Sequence, residues 1–268
     1  MKTTLRARWL GRARRLVVKV GSNLLAPGGK GVRPERLRAL ADQVARLRRQ
    51  GRDVVIVSSG AIASGMRLLP ASRRSANMVE KQALAAVGQP ELMRAYAEAF
   101  SRRRLVVAQV LVTRDDLHVA SRRANARRTL LALLRHGVVP IVNENDTVAV
   151  EEIRMGENDM LSAHVTGLTA ADALVILTDV DGLFDGHPGR QRTARRIDVV
   201  RRITPEVRRW AGHGAGSAVG TGGMRTKLEA AARVTRAGRP VLIARGTDRN
   251  VLVRALRGES VGTLFLPS

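Results

Sequence analysis

The chain has 268 residues, 44% of them hydrophobic, which is enough to bury the core of one large domain. It contains no cysteine, which excludes disulfides, thiolate metal sites and a cysteine nucleophile. The N-terminal residues hold no signal-peptide core, and no apolar run reaches the length of a membrane span. We therefore expect a cytoplasmic protein without a membrane partner.

The net charge of +24 leaves nucleic-acid binding open as an alternative function. However, aromatic residues make up only 2% of the chain, so a single strand would find few stacking platforms. The arginines are also spread along predicted helix faces, as at residues 46–49 and 122–123, rather than gathered in one arm. We therefore favour a solvated basic surface and expect no specific nucleic-acid partner.

In chain order, a basic and frayed start at residues 1–13 precedes a series of short apolar runs typical of buried strands. These predicted strands cover residues 16–20, 54–57, 105–112, 138–142 and 173–177. Helices are predicted between them, with Pro34 in the first turn of one that ends at Gly51. The helical pattern over residues 74–100 is expected to break around Gly88 and Pro90, and another helix covers residues 121–136.

A short hairpin is predicted over residues 148–155, followed by a helix that starts at Met160 and is capped by residues 157–159. The C-terminal part continues with a polar loop, a glycine-dense segment, a helix and two closing strands. Their predicted ranges are 185–195, 212–223, 224–237, 241–244 and 262–265. This alternation predicts an α/β fold with a mostly parallel central sheet between helices.

Polar or glycine-containing segments follow the predicted strands, and we expect them to share one ligand-binding edge of the sheet. They are residues 19–22, 58–61, the acidic-amide clusters 143–146 and 157–159, and the glycine-rich segment 220–227. The last segment leads into a helix, where backbone N–H groups can bind phosphate, although the spacing is not that of a P-loop. Asparagine and aspartate are also ordinary turn and cap residues, so either cluster alone would have a purely structural explanation.

Two lysines lie in these segments, although only five of the 47 cationic residues are lysines. An ammonium is a compact point charge, whereas a guanidinium is a broad planar fork, so Lys19 and Lys227 suit a tight phosphate site. A structural alternative for Lys19 is a strand residue whose charged end reaches the edge of the core.

Six motifs in the chain form an ordered set. They are Lys-Val-Gly-Ser-Asn (19–23), Val-Ser-Ser-Gly-Ala-Ile-Ala-Ser-Gly (57–65), Asn-Glu-Asn-Asp-Thr-Val-Ala (143–149), Gly-Glu-Asn-Asp-Met-Leu-Ser-Ala (156–163), Thr-Asp-Val-Asp-Gly-Leu (178–183) and Gly-Thr-Gly-Gly-Met-Arg-Thr-Lys (220–227). Together they resemble the glutamate 5-kinases of the amino acid kinase superfamily, over residues 15–267. The resemblance implies the carbamate-kinase-like fold and one kinase domain over residues 1–268. Its N-terminal part would bind glutamate, its part from about residue 173 would bind nucleotide, and the PUA-type C-terminal domain of many relatives would be absent.

The resemblance implies roles for individual residues. Lys19, Asp159 and Lys227 would be catalytic, with Asp159 organising the lysines, and Ser59, Asp146 and Asn158 would bind substrate. The implied ATP-binding residues are Lys19, Thr178, Asp179, Thr221, Gly222, Gly223, Met224, Arg225, Thr226 and Lys227. Asp146 suits an ammonium group, while Asn158 and the Ser59 turn would supply donors to carboxylates. No protein ligand is assigned to a metal.

The implied reaction is ATP-dependent phosphorylation of the γ-carboxylate of L-glutamate to L-glutamyl 5-phosphate, the first step of proline biosynthesis. The resemblance further implies Mg²⁺, feedback inhibition by proline, transfer of the product to glutamyl phosphate reductase, and a homo-oligomer. Two alternatives remain open at this point. One is a related kinase acting on another small acid, and the other is a basic nucleic-acid-binding protein on the same scaffold.

Overall fold

Eight strands and eleven α-helices alternate through the part of the chain that the structure describes. The computed structural model describes residues 4–29, 31–69, 77–149, 157–187, 191, 193–212 and 223–268. The strands are β1 Arg15–Val20, β2 Asp53–Ser58, β3 Val107–Val112, β4 Val139–Glu144, β5 Ala173–Thr178, β6 Val199–Val200, β7 Val241–Arg245 and β8 Thr263–Phe265. The helices are α1 Leu5–Trp9, α2 Ser22–Leu25, α3 Pro34–Arg49, α4 Ala61–Leu68, α5 Met78–Ser101, α6 Arg114–His118, α7 Ala120–Arg135, α8 Glu157–Leu168, α9 Pro205–Gly212, α10 Met224–Arg236 and α11 Val251–Leu256.

The strands form one sheet in the order β3-β4-β2-β1-β5-β7-β8-β6. All pairs from β3 to β7 are parallel, while β8 runs antiparallel to β7 and pairs in parallel with β6. The predicted α/β class with a mostly parallel sheet is therefore confirmed. β1 lies at the centre, so the residues that follow it reach the middle of the ligand edge.

Helices cover both faces of the sheet, and each face has its own apolar cluster. On one face, Val18 and Val20 of β1 pack with residues of α3, α5 and α11. On the other face, Val17 packs with residues of α7, α8 and α10. Because successive strand residues point to opposite faces, Lys19 lies on the α8–α10 face together with Val17. This alternation directs a cation into the layer between the sheet and those two helices.

Helix α5 runs without interruption through Pro90, so the predicted break around Gly88 is wrong. Its partner α4 comes close at this point. A Cβ on Gly88 would lie 1.9 Å from the Ala61 carbonyl oxygen, and one on Gly65 would lie 2.0 Å from the Leu84 carbonyl oxygen. Only glycine allows such a backbone approach, and the resulting helix packing offsets the hydrogen bond that proline cannot donate.

Helix α1 lies within the basic start, which corrects the expectation that residues 4–13 are frayed; residues 1–3 lie outside the described residues. Arg6 of α1 is only 4% exposed and donates hydrogen bonds to the carbonyl oxygens of Val261 and Gly262, at 2.7 and 2.9 Å. It also pairs with Asp198 at 2.7 Å. These contacts hold the N-terminal helix against the C-terminal segment, which a reading of local charge could not reveal.

Helix α8 begins at Glu157, so Asn158 and Asp159 lie in its first turn rather than in a cap before Met160. The predicted hairpin lies mostly outside the described residues, as does most of the glycine-dense segment 212–223. Within the described ranges, no helix is both long and apolar enough to span a bilayer.

Candidate active site

A buried carboxylate between two lysines forms the centre of the site. Lys19 Nζ of β1 lies 2.7 Å from Asp159 Oδ1, and Lys227 Nζ of α10 lies 3.2 Å from Asp159 Oδ2. The side chain of Asp159 is 0% exposed, and those of Lys19 and Lys227 are 7% and 6% exposed. The structure thus brings together the three residues that the sequence predicts as catalytic. An isolated charge would be costly at this depth, so each ammonium depends on the shared carboxylate.

Opposing effects act on the pKa values of Asp159 and Lys227. Burial alone would raise the pKa of Asp159, but the charges of Lys19 and Lys227 and the hydrogen bond from Thr226 outweigh it and hold this pKa below its usual value. For Lys227, burial lowers the pKa, Asp159 raises it and Lys19 lowers it, with a net decrease. Oδ1 of Asp159 is held by charge rather than by an aligned hydrogen bond. The carboxylate therefore remains ionised and keeps two like charges close together.

The N-terminus of α10 lies beside the triad. Thr226 Oγ1 is 2.7 Å from Asp159 Oδ2 and 2.9 Å from the Gly223 carbonyl oxygen. Gly223 is the N-cap and has no side chain to bond the first N–H groups of the helix, which remain suited to an anion. Met224 and Arg225 follow in the first turn, Met224 half-buried and Arg225 exposed. Thr221 and Gly222, also predicted to bind ATP, lie outside the described residues.

Thr178 and Asp179, also predicted to bind nucleotide, lie at the end of β5 and directly after it. Thr178 Oγ1 donates to Asp179 Oδ1 at 3.0 Å, and Asn23 Nδ2 donates to Asp179 Oδ2 at 3.1 Å. Burial would raise the pKa of Asp179, but the hydrogen bonds from Asn23 and Thr178 prevail and lower it. Asn23 was not among the site residues predicted from the sequence, although it closes the motif 19–23 that begins in β1. Its polar side chain, three residues after a strand that delivers a lysine, was the available signal.

The predicted substrate residues Ser59 and Asn158 are in direct contact. Asn158 Nδ2 donates to Ser59 Oγ at 2.9 Å and to Asn143 Oδ1 at 3.3 Å. Its Oδ1 is buried and accepts no hydrogen bond from the described residues. The atom of Asn158 left without a partner among the described residues is thus an acceptor, whereas a donor role was predicted from the sequence. An ammonium group would satisfy this oxygen.

Asp146 lies in the turn that follows β4 and is half-buried. Parallel strands deliver their following turns to one edge of the sheet, so β4 places Asp146 on the same edge as the Ser59 turn after β2. Gly60, which follows Ser59 in the turn after β2, has a φ of 116°, a conformation that glycine adopts without strain. This sharp turn at the N-cap lets α4 start at Ala61, two residues after Ser59.

An open α/β sheet that brings two lysines and a helix N-terminus together at one strand edge suits the transfer of a phosphoryl group. The profile of the Amino acid kinase family matches residues 14–245. The chain is 49% identical to Glutamate 5-kinase of Geobacter sulfurreducens, over 98% of this chain and 70% of that protein. It is 50% identical to Glutamate 5-kinase of Carboxydothermus hydrogenoformans, over 96% of this chain and 69% of that protein. The chain belongs to the amino acid kinase family.

A solved structure supports the same fold. UMP kinase from Bacillus anthracis superposes with a TM-score of 0.67, covering 96% of this chain and 97% of that chain. The sequence identity is 17%, so this likeness concerns the fold alone. As a member of a kinase family, the chain takes ATP as a co-substrate.

Proposed function

We propose that this chain transfers the γ-phosphoryl group of ATP to the γ-carboxylate of L-glutamate and forms L-glutamyl 5-phosphate and ADP. The observation that carries the proposal is the buried Lys19–Asp159–Lys227 triad beside the Ser59–Asn158 pair. The 49% identity to a glutamate 5-kinase over 98% of the chain supports the choice of substrate. In this role the protein would catalyse the first step of proline biosynthesis.

The nucleophile in this reaction needs no general base. A glutamate side chain has a pKa of about 4.3 and is ionised at neutral pH. One γ-carboxylate oxygen attacks the γ-phosphorus of ATP, the new O–P bond forms as the bond to the β–γ bridging oxygen breaks, and ADP leaves with that electron pair. Catalysis then consists of alignment and charge neutralisation.

The two lysines supply the positive charge for this transfer. Their separation is fixed because both bind the same carboxylate, Lys19 at Oδ1 and Lys227 at Oδ2. An anionic phosphoryl group between them would find both ammonium groups in place, without the cost of reorganising them. Asp159 acts as a positioning residue because its oxygens are engaged by Lys19, Lys227 and Thr226.

At the substrate end, Asn158 and Asp146 would bind the α-ammonium group of glutamate. The unpaired Oδ1 of Asn158 accepts one of its hydrogens, and the carboxylate of Asp146 supplies the opposite charge. The Ser59 N–H already donates to the Val20 carbonyl oxygen at 3.2 Å, so the Gly60 N–H of this turn would bind the α-carboxylate. These contacts leave the γ-carboxylate directed towards the lysine pair.

Magnesium would enter the site with the nucleotide. Within the described ranges, no group of three histidine, aspartate or glutamate side chains could hold a metal ion. Mg²⁺ held by nucleotide phosphates needs no such group, and we assign the ion neither a protein ligand nor a step. Nucleotide phosphates and water are ordinary Mg²⁺ ligands.

The decisive experiment is the release of ADP with and without L-glutamate, followed by a coupled assay. Hydroxylamine converts an acyl phosphate to a hydroxamate, so the proposed product should give glutamyl hydroxamate in amounts matching ADP. A panel of L-aspartate, N-acetyl-L-glutamate and UMP tests the related-kinase alternative. ADP release with one of these acceptors and none with L-glutamate would contradict the proposed substrate.

The charge of +24 supports one other candidate, a nucleic-acid-binding protein. Arg46, Arg49, Arg122 and Arg123 all lie on exposed helix faces, as in a solvated basic surface. Binding to DNA or RNA should therefore lack sequence preference and weaken steeply with added salt. Sequence-selective binding at physiological salt would support the alternative.

The proposed activity carries further expectations about regulation and partners. Proline shares the α-carboxylate and ammonium of glutamate, so it should compete for the site at Asn158 and Asp146 and act as a feedback inhibitor. The labile acyl phosphate would pass to glutamyl phosphate reductase. We further propose a cytoplasmic homo-oligomer. Inhibition by proline that added glutamate cannot relieve would count against a shared site.

A further inference from the structure

A chain of side-chain amides leads from the edge of the sheet to the substrate site. Gln89 Nε2 of α5 donates to Gln109 Oε1 of β3 at 3.1 Å, and Gln89 Oε1 accepts from Asn143 Nδ2 at 2.9 Å. Asn143 Oδ1 in turn accepts from Asn158 Nδ2 at 3.3 Å. Gln89 is 8% exposed and Asn143 is 2% exposed, so the central members lie away from solvent.

In such a series of hydrogen bonds, the orientation of one amide determines that of the next, because each amide has one acceptor oxygen and one donor nitrogen. When Gln89 offers its oxygen, Asn143 must present its NH₂ group to Gln89 and its oxygen to Asn158. Asn158 then turns its NH₂ group towards Asn143 and Ser59, and both of its hydrogens are used. Its oxygen is left as the atom without a partner among the described residues. The acceptor character of the site is thus set by Gln89, which lies two hydrogen bonds away.

Close helix packing fixes the position of Gln89. The preceding Gly88 lies against the backbone of α4 at Ala61 and Gly65, so α5 cannot shift without a clash. Tyr96, two turns further along α5, places its hydroxyl 2.9 Å from Ser58 Oγ, next to the Ser59 turn. The same helix therefore supports both residues of the Ser59–Asn158 pair.

We infer that Gln89 is a positioning residue for substrate recognition. It orients the amide of Asn158, through Asn143, so that Oδ1 accepts a hydrogen bond from the α-ammonium group of the amino acid substrate. This inference rests on the proposed function, and it adds a residue that touches neither substrate nor nucleotide. Its consequence is selectivity for an acceptor that carries an ammonium group over the same diacid without one.

The test compares L-glutamate with glutarate, which has both carboxylates but no ammonium group. Gln89→Met keeps the length of the side chain and removes both hydrogen bonds. The KM for L-glutamate should rise about tenfold to a hundredfold, because a hydrogen bond to a charged group is weakened. The inhibition constant of glutarate against glutamate and the KM for ATP should each change less than threefold.

Two further variants separate positioning from general damage. Gln89→Glu keeps the acceptor for Asn143, and the exposed Gln109 can turn its amide to donate, so the KM for L-glutamate should return to within a few-fold of the parent value. Gln43→Met is the matched control. Gln43 is also a buried glutamine, 5% exposed, and it bonds the backbone of Ala39 and Leu252 away from the site. It should lower the melting temperature without changing either kinetic constant.

Equal rises in the KM for glutamate and the inhibition constant of glutarate would overturn the inference, since Gln89 would then shape the pocket without sensing the ammonium group. Unchanged constants in folded Gln89→Met would overturn it as well. If Gln89→Met fails to fold, Gln89→Asn applies the same test, because it withdraws the amide from Asn143 by one methylene. A parent protein that releases no ADP with L-glutamate would instead refute the proposed function.

Discussion

Replacing Asp159 by asparagine tests the electrostatic centre of the site most directly. Asp159→Asn keeps the shape of the side chain and removes the charge that lies 2.7 Å from Lys19 and 3.2 Å from Lys227. Because all three side chains are buried, loss of one partner costs about 3–5 kcal/mol of folding free energy. For a domain of this size each kcal/mol lowers the melting temperature by about 2–4 °C, so we expect a decrease of roughly 6–20 °C.

The same substitution should change catalysis in a pH-dependent way. Asp159 raises the pKa of Lys227, while burial and Lys19 lower it, so removing the carboxylate lowers this pKa further. Lys227 would then lose its proton at a lower pH than in the parent protein. The alkaline limb of the kcat/KM profile for ATP should shift to lower pH, and kcat at neutral pH should fall by about 100-fold because the ammonium groups lose their alignment.

Asp53→Asn is the control, because Asp53 also pairs with two cations, Arg15 and Arg48. It lies 3.2 Å from Arg15 at the opposite end of β1, and both side chains are more than a quarter exposed. We expect a loss of no more than about 1 kcal/mol and an unchanged pH profile. Differential scanning fluorimetry and ADP release across pH measure both effects. A folded Asp159→Asn protein with a parental melting temperature and an unshifted alkaline limb would refute the reasoning.

Other substitutions test single parts of the site. Lys19→Arg should lower kcat by about 100-fold with little change in the KM for ATP, because a planar guanidinium cannot occupy the position of the ammonium near the backbone of Gly21. Lys81→Arg on α5 is the matched control and should leave kcat unchanged. Asp146→Asn should raise the KM for glutamate by a factor equivalent to about 2–4 kcal/mol, and an unchanged KM would contradict its assignment. Gly88→Ala should destabilise the fold by about 1–3 kcal/mol, because its Cβ would meet the Ala61 carbonyl oxygen. Thermal unfolding measures this loss. A parental melting temperature would show that α4 and α5 move apart freely.

The sequence by itself determined the strands and the edge at which ligands are expected. Short apolar runs predict buried parallel strands because such strands are covered on both faces, and residues 16–20 and 54–57 differ from the observed β1 and β2 by only one residue at one or both ends. Rare lysines in glycine-containing motifs were likewise visible without coordinates. Both signals lie within short stretches of the sequence, so they can be recognised before the fold is known.

Helix boundaries were less predictable where packing opposes local preference. Pro90 favours a helix end, yet α5 continues through it because Gly88 lets α4 pack closely beside it. The basic start gave no sign of α1, since Arg6 is buried only through contacts with the C-terminal segment. Neither contact has a signature within a short window of sequence.

Only the tertiary structure decided how the predicted residues act together. The sequence placed Lys19, Asp159 and Lys227 on three separate elements, and the strand order with the packing of α8 and α10 joined them into one ion-paired triad. The direction of the Asn158 amide depends on Gln89, which lies far away in sequence and reaches it through Asn143. Hydrogen-bond direction and charge pairing depend on distances between elements, and those distances exist only once the chain has folded.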